Sequence, residues 1–244
     1  MNNTPRVALV SGCSRAEGIG FEVCRQLALE GITVLLTARD EEKASSLAAR
    51  LRDQDLEVHG HALDITNSDS VRTLVGFIDE RYGRLDSLIN NATGATRSRD
   101  PVSAADLASA RQIVDVTLFG TWQLIQEMLP LLRKSDAARI VNVSSSAGLH
   151  SDPILGLTSK WLGRPAYGIA KAALNALTAK FAAEFYDSGI KVNAVCPGLT
   201  ATQPGMGSAA RPVAEGAGAI VWAALLDEDG PSGGFYRDHE RQAW

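Results

Sequence analysis

Cysteine is nearly missing from this chain of 244 residues. Cys13, Cys24 and Cys196 form an odd, scattered set, matching neither a disulfide framework nor a zinc site. Histidine is equally sparse, and the four present have no ligand partners at helical spacing, so no metal centre is expected. No apolar run approaches the ~20 residues a membrane span requires. The opening MNNTPRVALVSG is too short and polar ahead of its apolar run for a signal peptide. Neither charge dominates: 24 Lys and Arg stand against 28 Asp and Glu, a net charge of -4. That balance argues against nucleic acid or an anionic membrane as the main partner. Linkers rich in proline, serine or charge are also absent. One domain, residues 1–244, is therefore expected, in a reduced, cytoplasmic setting.

What is present is a rhythm. Short β-branched runs at 6–10, 33–37, 57–62, 87–90, 139–144 and 191–195 alternate with helical patterns. The helices are expected at 20–30, 41–53 and 68–82, in a long stretch ending near 132, from 167 onward, and at 213–226. Such alternation predicts an α/β protein: βαβ units building a doubly wound parallel sheet of the Rossmann type, with helices on both faces. Sheets of this kind bind ligands at the carboxyl ends of their strands, where the strand order reverses.

Two stretches carry chemistry. In Tyr167-Gly168-Ile169-Ala170-Lys171, within a segment rich in Ala and Leu, the phenol and the ammonium are four residues apart on one helix face. A free tyrosine, with a pKa near ~10, is a sluggish acid at neutral pH, and an adjacent ammonium is expected to lower that value. The second stretch, Val10 to Gly20, follows a strand and opens a helix. Its Gly12, Gly18 and Gly20 permit a tight turn and bring backbone N–H groups to a pyrophosphate on the helix N-terminus. A plain glycine-rich loop is the alternative.

Together these stretches resemble the TGxxxGxG and YxxxK motifs of the short-chain dehydrogenase/reductase family, and the similarity covers nearly the whole chain. Asp64 in LDIT resembles the aspartate near the adenine; Leu88-Ile89-Asn90-Asn91-Ala92 resembles the NNAG strand end. Residues 139–145 resemble the strand carrying the catalytic serine, and 192–198 the strand that closes over the nicotinamide. The wording of GFEVCRQLALEGITVLLTARD and of the last fifteen residues is similar to the carbonyl-reductase branch. The family's SxxG spacing picks Ser145 as the serine, with Gly148 as its marker; Ser144 and Ser146 are expected on the other face. The resemblance implies a Ser145, Tyr167 and Lys171 centre, with Thr117 beside it. It also implies cofactor contacts at Gly12, Ser14, Arg15, Gly18, Ile19, Gly20, Asp64, Ile65, Asn91, Ala92, Pro197, Gly198, Thr200 and Thr202, and at Tyr167 and Lys171, the last holding the nicotinamide ribose.

The cofactor expected is NADP(H). After the second strand stands Ala38, where an NAD enzyme places a carboxylate, and then Arg39, whose guanidinium suits a 2′-phosphate. A solvated surface charge is the other reading of Arg39. Asp40 is expected to cap the next helix. Four departures from the family pattern stand out. The glycine-rich turn is two residues long of the usual, so Ala16 and Glu17 are expected to bulge outward. A glycine is displaced to Gly94, and Thr117 replaces the usual asparagine. Finally, the connection from Ser145 to Tyr167 is long, carrying His150, Pro153, Ile154, Leu155, Trp161 and Leu162.

The segments 149–166 and 198–211 are expected to wall a substrate pocket, the latter as a mobile lid. Leu155 and Trp161 could equally pack on the core or on a neighbouring subunit. The resemblance implies NADPH-dependent reduction of a ketone or aldehyde with a hydrophobic or aromatic body. Alcohol oxidation, or a non-catalytic NADP(H) sensor, are the alternatives. A homodimer or homotetramer is expected, paired through the helices at about 105–132 and from 167.

Overall fold

The computed structural model describes residues 5–94, 100–159, 164–202 and 210–244. In chain order the elements are β1 (Val7–Val10), α1 (Ile19–Leu29), β2 (Thr33–Ala38), α2 (Glu41–Arg52), β3 (Val58–Ala62), α3 (Ser68–Tyr82) and β4 (Ser87–Asn90). There follow α4 (Leu107–Val114), α5 (Thr121–Leu132), β5 (Arg139–Val143), α6 (Pro165–Glu184), β6 (Lys191–Cys196), α7 (Val213–Ala224), β7 (Phe235–Arg237) and β8 (Glu240–Gln242).

All eight strands join one sheet in the order β3-β2-β1-β4-β5-β6-β7-β8. Every pairing is parallel except that of β7 with β8. Every residue of β1, β2, β4 and β5 is buried, which is why these strands lack polar alternation: helices cover both faces. Alternate residues of β1 serve the two sides. Ala8 and Val10 pack with α1, α2 and α7 through Leu27, Leu47 and Ile220. Val7 and Leu9 pack with α3, α5 and α6 through Ile78, Met128 and Leu174. Each large side chain so buried contributes roughly 1.5–3 kcal/mol.

Helix starts follow local chemistry. Asp40 accepts from the Lys43 N–H at 2.8 Å, capping α2 as the sequence leads one to expect. Asn67 and Asp106 cap α3 and α4 in the same way. The strand order reverses at β1, which lies between β2 and β4. A crevice therefore opens at the carboxyl ends of β1 and β4.

Two features differ from the sequence reading. The long helix ending at Leu132 is two helices joined by a π-helical turn, Asp115–Gly120. Residues 235–242, given no strand by the sequence rhythm, form the β7–β8 hairpin.

Candidate active site

At the end of β1 the chain turns under steric compulsion. Gly12 has φ +75°, and a Cβ there would lie 2.6 Å from the Ala92 Cα. A Cβ on Gly20 would meet Asn91 Nδ2 at 2.5 Å. The two loops are then tied by hydrogen bonds: Asn91 Nδ2 donates to the carbonyls of Ser11 (2.8 Å) and Gly12 (3.1 Å), and the N–H groups of Asn91 and Ala92 donate to Ser11 Oγ. Asn91 thus spends its side-chain amide on the turn. Gly18 stands at the start of α1 without a side-chain cap, unlike the capped α2, α3 and α4. The amides at Ile19 and Gly20 lie at the positive end of the helix, a fit for a pyrophosphate. Ser14 and Arg15 are exposed at the rim. Glu17 points outward as expected, but Ala16 does not: it is half-buried and packs with Ile19 on the core, because apolar contact is available beneath the turn.

On the far side of the crevice Arg39 follows β2 and is exposed. Asp64 accepts from the Thr66 N–H and hydroxyl at 3.0 and 2.7 Å, shaping the turn after β3. Ile65 is buried, packed where a Cβ on Gly120 would approach it to 2.8 Å.

Ser145 lies just beyond β5. Its Oγ accepts from the Ala147 N–H at 3.2 Å, which leaves the hydroxyl hydrogen for another acceptor. Tyr167, in the first turn of α6, lies close enough to Ser145 for that hydroxyl to act on its pKa. Close approach of helix and serine turn depends on two glycines. A Cβ on Gly148 would lie 2.6 Å from the Ala172 N, and one on Gly168 2.8 Å from the Ala147 O. Lys171, one turn further on, is 2% exposed. Its Nζ donates to the Val143 carbonyl at 2.7 Å and lies 5.6 Å from the Tyr167 ring centroid.

The electrostatics differ from the expectation that Lys171 lowers the tyrosine's pKa. Burial, opposed by the nearby Ser145 hydroxyl, holds Tyr167 above the usual phenol value. Burial also pushes Lys171 down to about 8, with Cys196 opposing. Desolvation outweighs attraction because the hydrogen bond of the ammonium goes to the Val143 carbonyl.

The neighbouring serines are engaged elsewhere. Ser144 donates to Asn175 Oδ1 at 2.5 Å, and Ser146 lies 3.6 Å from Cys196 Sγ. Ser144 thus reaches α6 on the face it shares with Asn142, which donates to Thr178 Oγ1 at 2.9 Å, so the alternation of β5 carries through to Ser144. Asn175 also donates to the Gly148 carbonyl at 3.3 Å, bracing both flanks of Ser145. It escaped the sequence reading, although it follows Lys171 by four residues on the same helix face.

Thr117 sits in the π-helical turn with 0% exposure. Its Oγ1 accepts from the Gly94 N–H at 3.1 Å and meets the Thr93 hydroxyl at 3.0 Å. A threonine within a helix ordinarily turns back to a carbonyl one turn earlier. Here the displaced glycine offers a better partner, so Thr93, Gly94 and Thr117 form one unit.

Beyond β6, Cys196 Sγ accepts from the N–H groups of Ser146 (3.3 Å) and Gly198 (3.4 Å), linking that strand end to the serine turn. Pro197 is buried, Gly198 has φ +72°, and Thr200 donates its hydroxyl to the Pro197 carbonyl at 3.1 Å. Thr200 is thereby occupied within the turn, while Thr202 is half-buried beside it. In the connection before Tyr167, His150, Pro153 and Ile154 are exposed and Leu155 is half-buried. Trp161, Leu162 and residues 203–209 lie outside the described residues.

Comparison with known proteins finds relatives along nearly the whole chain. The family described as short chain dehydrogenase matches residues 6–211. A (+)-neomenthol dehydrogenase of Arabidopsis thaliana is 32% identical, with 96% of each chain covered. Carbonyl reductase [NADPH] 1 of Rattus norvegicus is 31% identical over the full length of both. A short-chain dehydrogenase from Shigella flexneri, complexed with NADP, superposes with a TM-score of 0.81 at 27% identity, covering 96% of this chain and 97% of that one. The chain belongs to the short-chain dehydrogenase/reductase family.

Proposed function

We propose that this protein is an NADPH-dependent carbonyl reductase acting on ketones or aldehydes. The observation that carries the reading is the gathering of Ser145, Tyr167 and a buried Lys171 at the carboxyl end of β5, with Lys171 Nζ 5.6 Å from the Tyr167 ring centroid and bonded to the Val143 carbonyl. Bound NADPH supplies the hydride for the carbonyl carbon. Ser145, whose Oγ already accepts from Ala147, directs its own hydrogen to the carbonyl oxygen and steadies the charge developing there. Tyr167, held above the usual phenol value by burial, carries its proton at neutral pH and gives it to the same oxygen, which becomes far more basic than a phenolate as the hydride arrives. Lys171, one turn from Tyr167 and lowered by burial to about 8, is poised to return a proton to the phenolate left behind. It would also hold the nicotinamide ribose of a bound cofactor.

Specificity for NADPH rests on Arg39, exposed beside the α2 N-terminus with Ala38 before it. The relatives named as a carbonyl reductase and a neomenthol dehydrogenase support a small carbonyl substrate, hydrophobic or aromatic in body. We place the protein in the cytoplasm; no described helix is long and apolar enough to cross a membrane. A homodimer or homotetramer is supported by Leu107, Phe119, Trp122 and Ile169, large apolar residues exposed on α4, the π turn, α5 and α6.

The deciding experiment follows NADPH consumption with a panel of aromatic and polycyclic ketones. Tyr167→Phe should cut turnover at least ~10²-fold while the fold persists. A near wild-type rate in that variant would remove Tyr167 from the mechanism.

A further inference from the structure

The turn that follows β6 is held from outside the family motifs. Arg211 is bonded to it through its backbone: its N–H donates to the Leu199 carbonyl at 2.8 Å, and its own carbonyl accepts from the Ala201 N–H at 3.0 Å. Its guanidinium lies across Gly198, where a Cβ would come within 2.8 Å of Nε and 2.9 Å of Cζ. Both Nη atoms then donate to Asp238, Nη1 to Oδ1 and Nη2 to Oδ2, the second at 3.1 Å. Such a fork-to-fork pair fixes orientation as well as distance.

Asp238 is in an unusual place to do this. It and His239 are the two residues between β7 and β8, with φ +54° and +66°. Two successive left-handed residues normally call for Asn-Gly or similar. A conformation of this kind persists when its surroundings over-determine it. Here Trp222 packs on His239 with ring centroids 5.1 Å apart, and on Tyr236 at 5.2 Å. Because Cys196 pairs with Arg237, the hairpin turn lies at the carboxyl ends of the strands, level with Gly198. Gly198 in turn is linked through Cys196 Sγ to the Ser146 N–H. A continuous path therefore runs from the hairpin to the serine turn.

We propose that Arg211 and Asp238 are positioning residues for NADP(H): the pair holds the Pro197–Gly198–Leu199–Thr200 turn in the form that receives the nicotinamide end of the cofactor. The C-terminal hairpin is thereby part of the binding apparatus. This rests on the cofactor assignment above, but not on the carbonyl chemistry.

The test is a double-mutant cycle read in NADPH affinity, by fluorescence titration of the purified full-length chain. Arg211→Ala and Asp238→Asn should each weaken NADPH binding about five- to tenfold. The double variant should be no weaker than the poorer single one, because either change breaks the same contact. Hydrogen exchange of the nucleotide-free protein should show faster amides at residues 198–202 in Asp238→Asn, with the β1 and β5 amides unchanged. Asp238→Asn keeps the side-chain shape and serves alone if Arg211→Ala does not fold. Wild-type affinity in the folded single variants, or independent losses that multiply in the double, would overturn the proposal. Wild-type protein that binds NADPH but reduces no carbonyl would instead remove the proposed reaction, leaving this result standing. Wild-type protein that does not bind NADPH would overturn both.

Discussion

The buried charge of Lys171 weighs against the fold at neutral pH. Burial lowers its pKa from an ordinary 10.5 to about 8. At about 1.4 kcal/mol per pH unit, that gap amounts to about 3 kcal/mol. The unfolded chain binds the proton more tightly than the folded one, so between about pH 8 and 10.5 folding stability rises with pH. The penalty is full below pH 8 and gone above 10.5. Lys171→Met carries no such penalty, although it orphans the Val143 carbonyl, a loss of about 1–3 kcal/mol that does not depend on pH. The absolute stability difference between the two proteins is therefore small at about pH 7 and moves in favour of the wild type by about 2 kcal/mol on going to about pH 10. For a chain of this size that is a relative shift in Tm of about 4–8 °C. Thermal melts of both nucleotide-free proteins at several pH values measure it, and repeating them in a Tyr167→Phe background removes any contribution from the phenol. An offset that stays constant across the range would refute the reasoning, since it would mean that Lys171 titrates as it does in the unfolded chain.

Other outcomes follow from the same geometry. Arg39→Ala should weaken NADPH binding roughly tenfold to a hundredfold, the worth of about 1.5–3 kcal/mol for a charged contact, and leave NADH almost untouched; equal losses for both would sink the assignment. Thr117→Val removes the acceptor of the Gly94 N–H and should cost about 1–3 kcal/mol, seen as a fall in Tm that Thr117→Ser largely reverses. Sedimentation at micromolar concentration should give a dimer or tetramer, and Phe119→Glu with Trp122→Glu should yield monomers; a 25.9 kDa wild-type species would contradict it.

Much of the fold was legible because burial leaves a plain mark. Strands covered on both faces, such as Val7–Val10, read as unbroken apolar runs, and Asp40 announced a helix start through its own capping chemistry. The β7–β8 hairpin was not legible: its strands are three residues long, and Asp238-His239 lacks the glycine that marks such turns. The π turn left no trace either, since one inserted residue hardly disturbs an apolar pattern. In the candidate site, spacing along one helix brought Tyr167 and Lys171 together on paper. The direction of the lysine's hydrogen bond was beyond reach, because its acceptor, Val143, belongs to a strand 28 residues away. Gly168 carried a signal that went unused: a glycine inside a helix costs about 1 kcal/mol relative to alanine, and its presence marks close packing.

The turn at Asp115–Gly120 also has a bearing on how this surface can change. Each residue of a regular helix advances the winding by about 100°, so the wider turn acts as a phase correction between two helices of different register. With it in place, Ile113 packs where Gly94 requires, while Phe119 and Trp122 face outward. Point substitutions leave that phase alone. Deleting a single residue from the turn would restore ordinary winding and leave Leu107–Val114 and Thr121–Leu132 in nearly the same relative phase, because the wide turn absorbs one extra residue. What would be lost is the widened backbone that carries Thr117 to the Gly94 N–H. The extra residue serves that buried contact, while the apolar outer face would survive its removal.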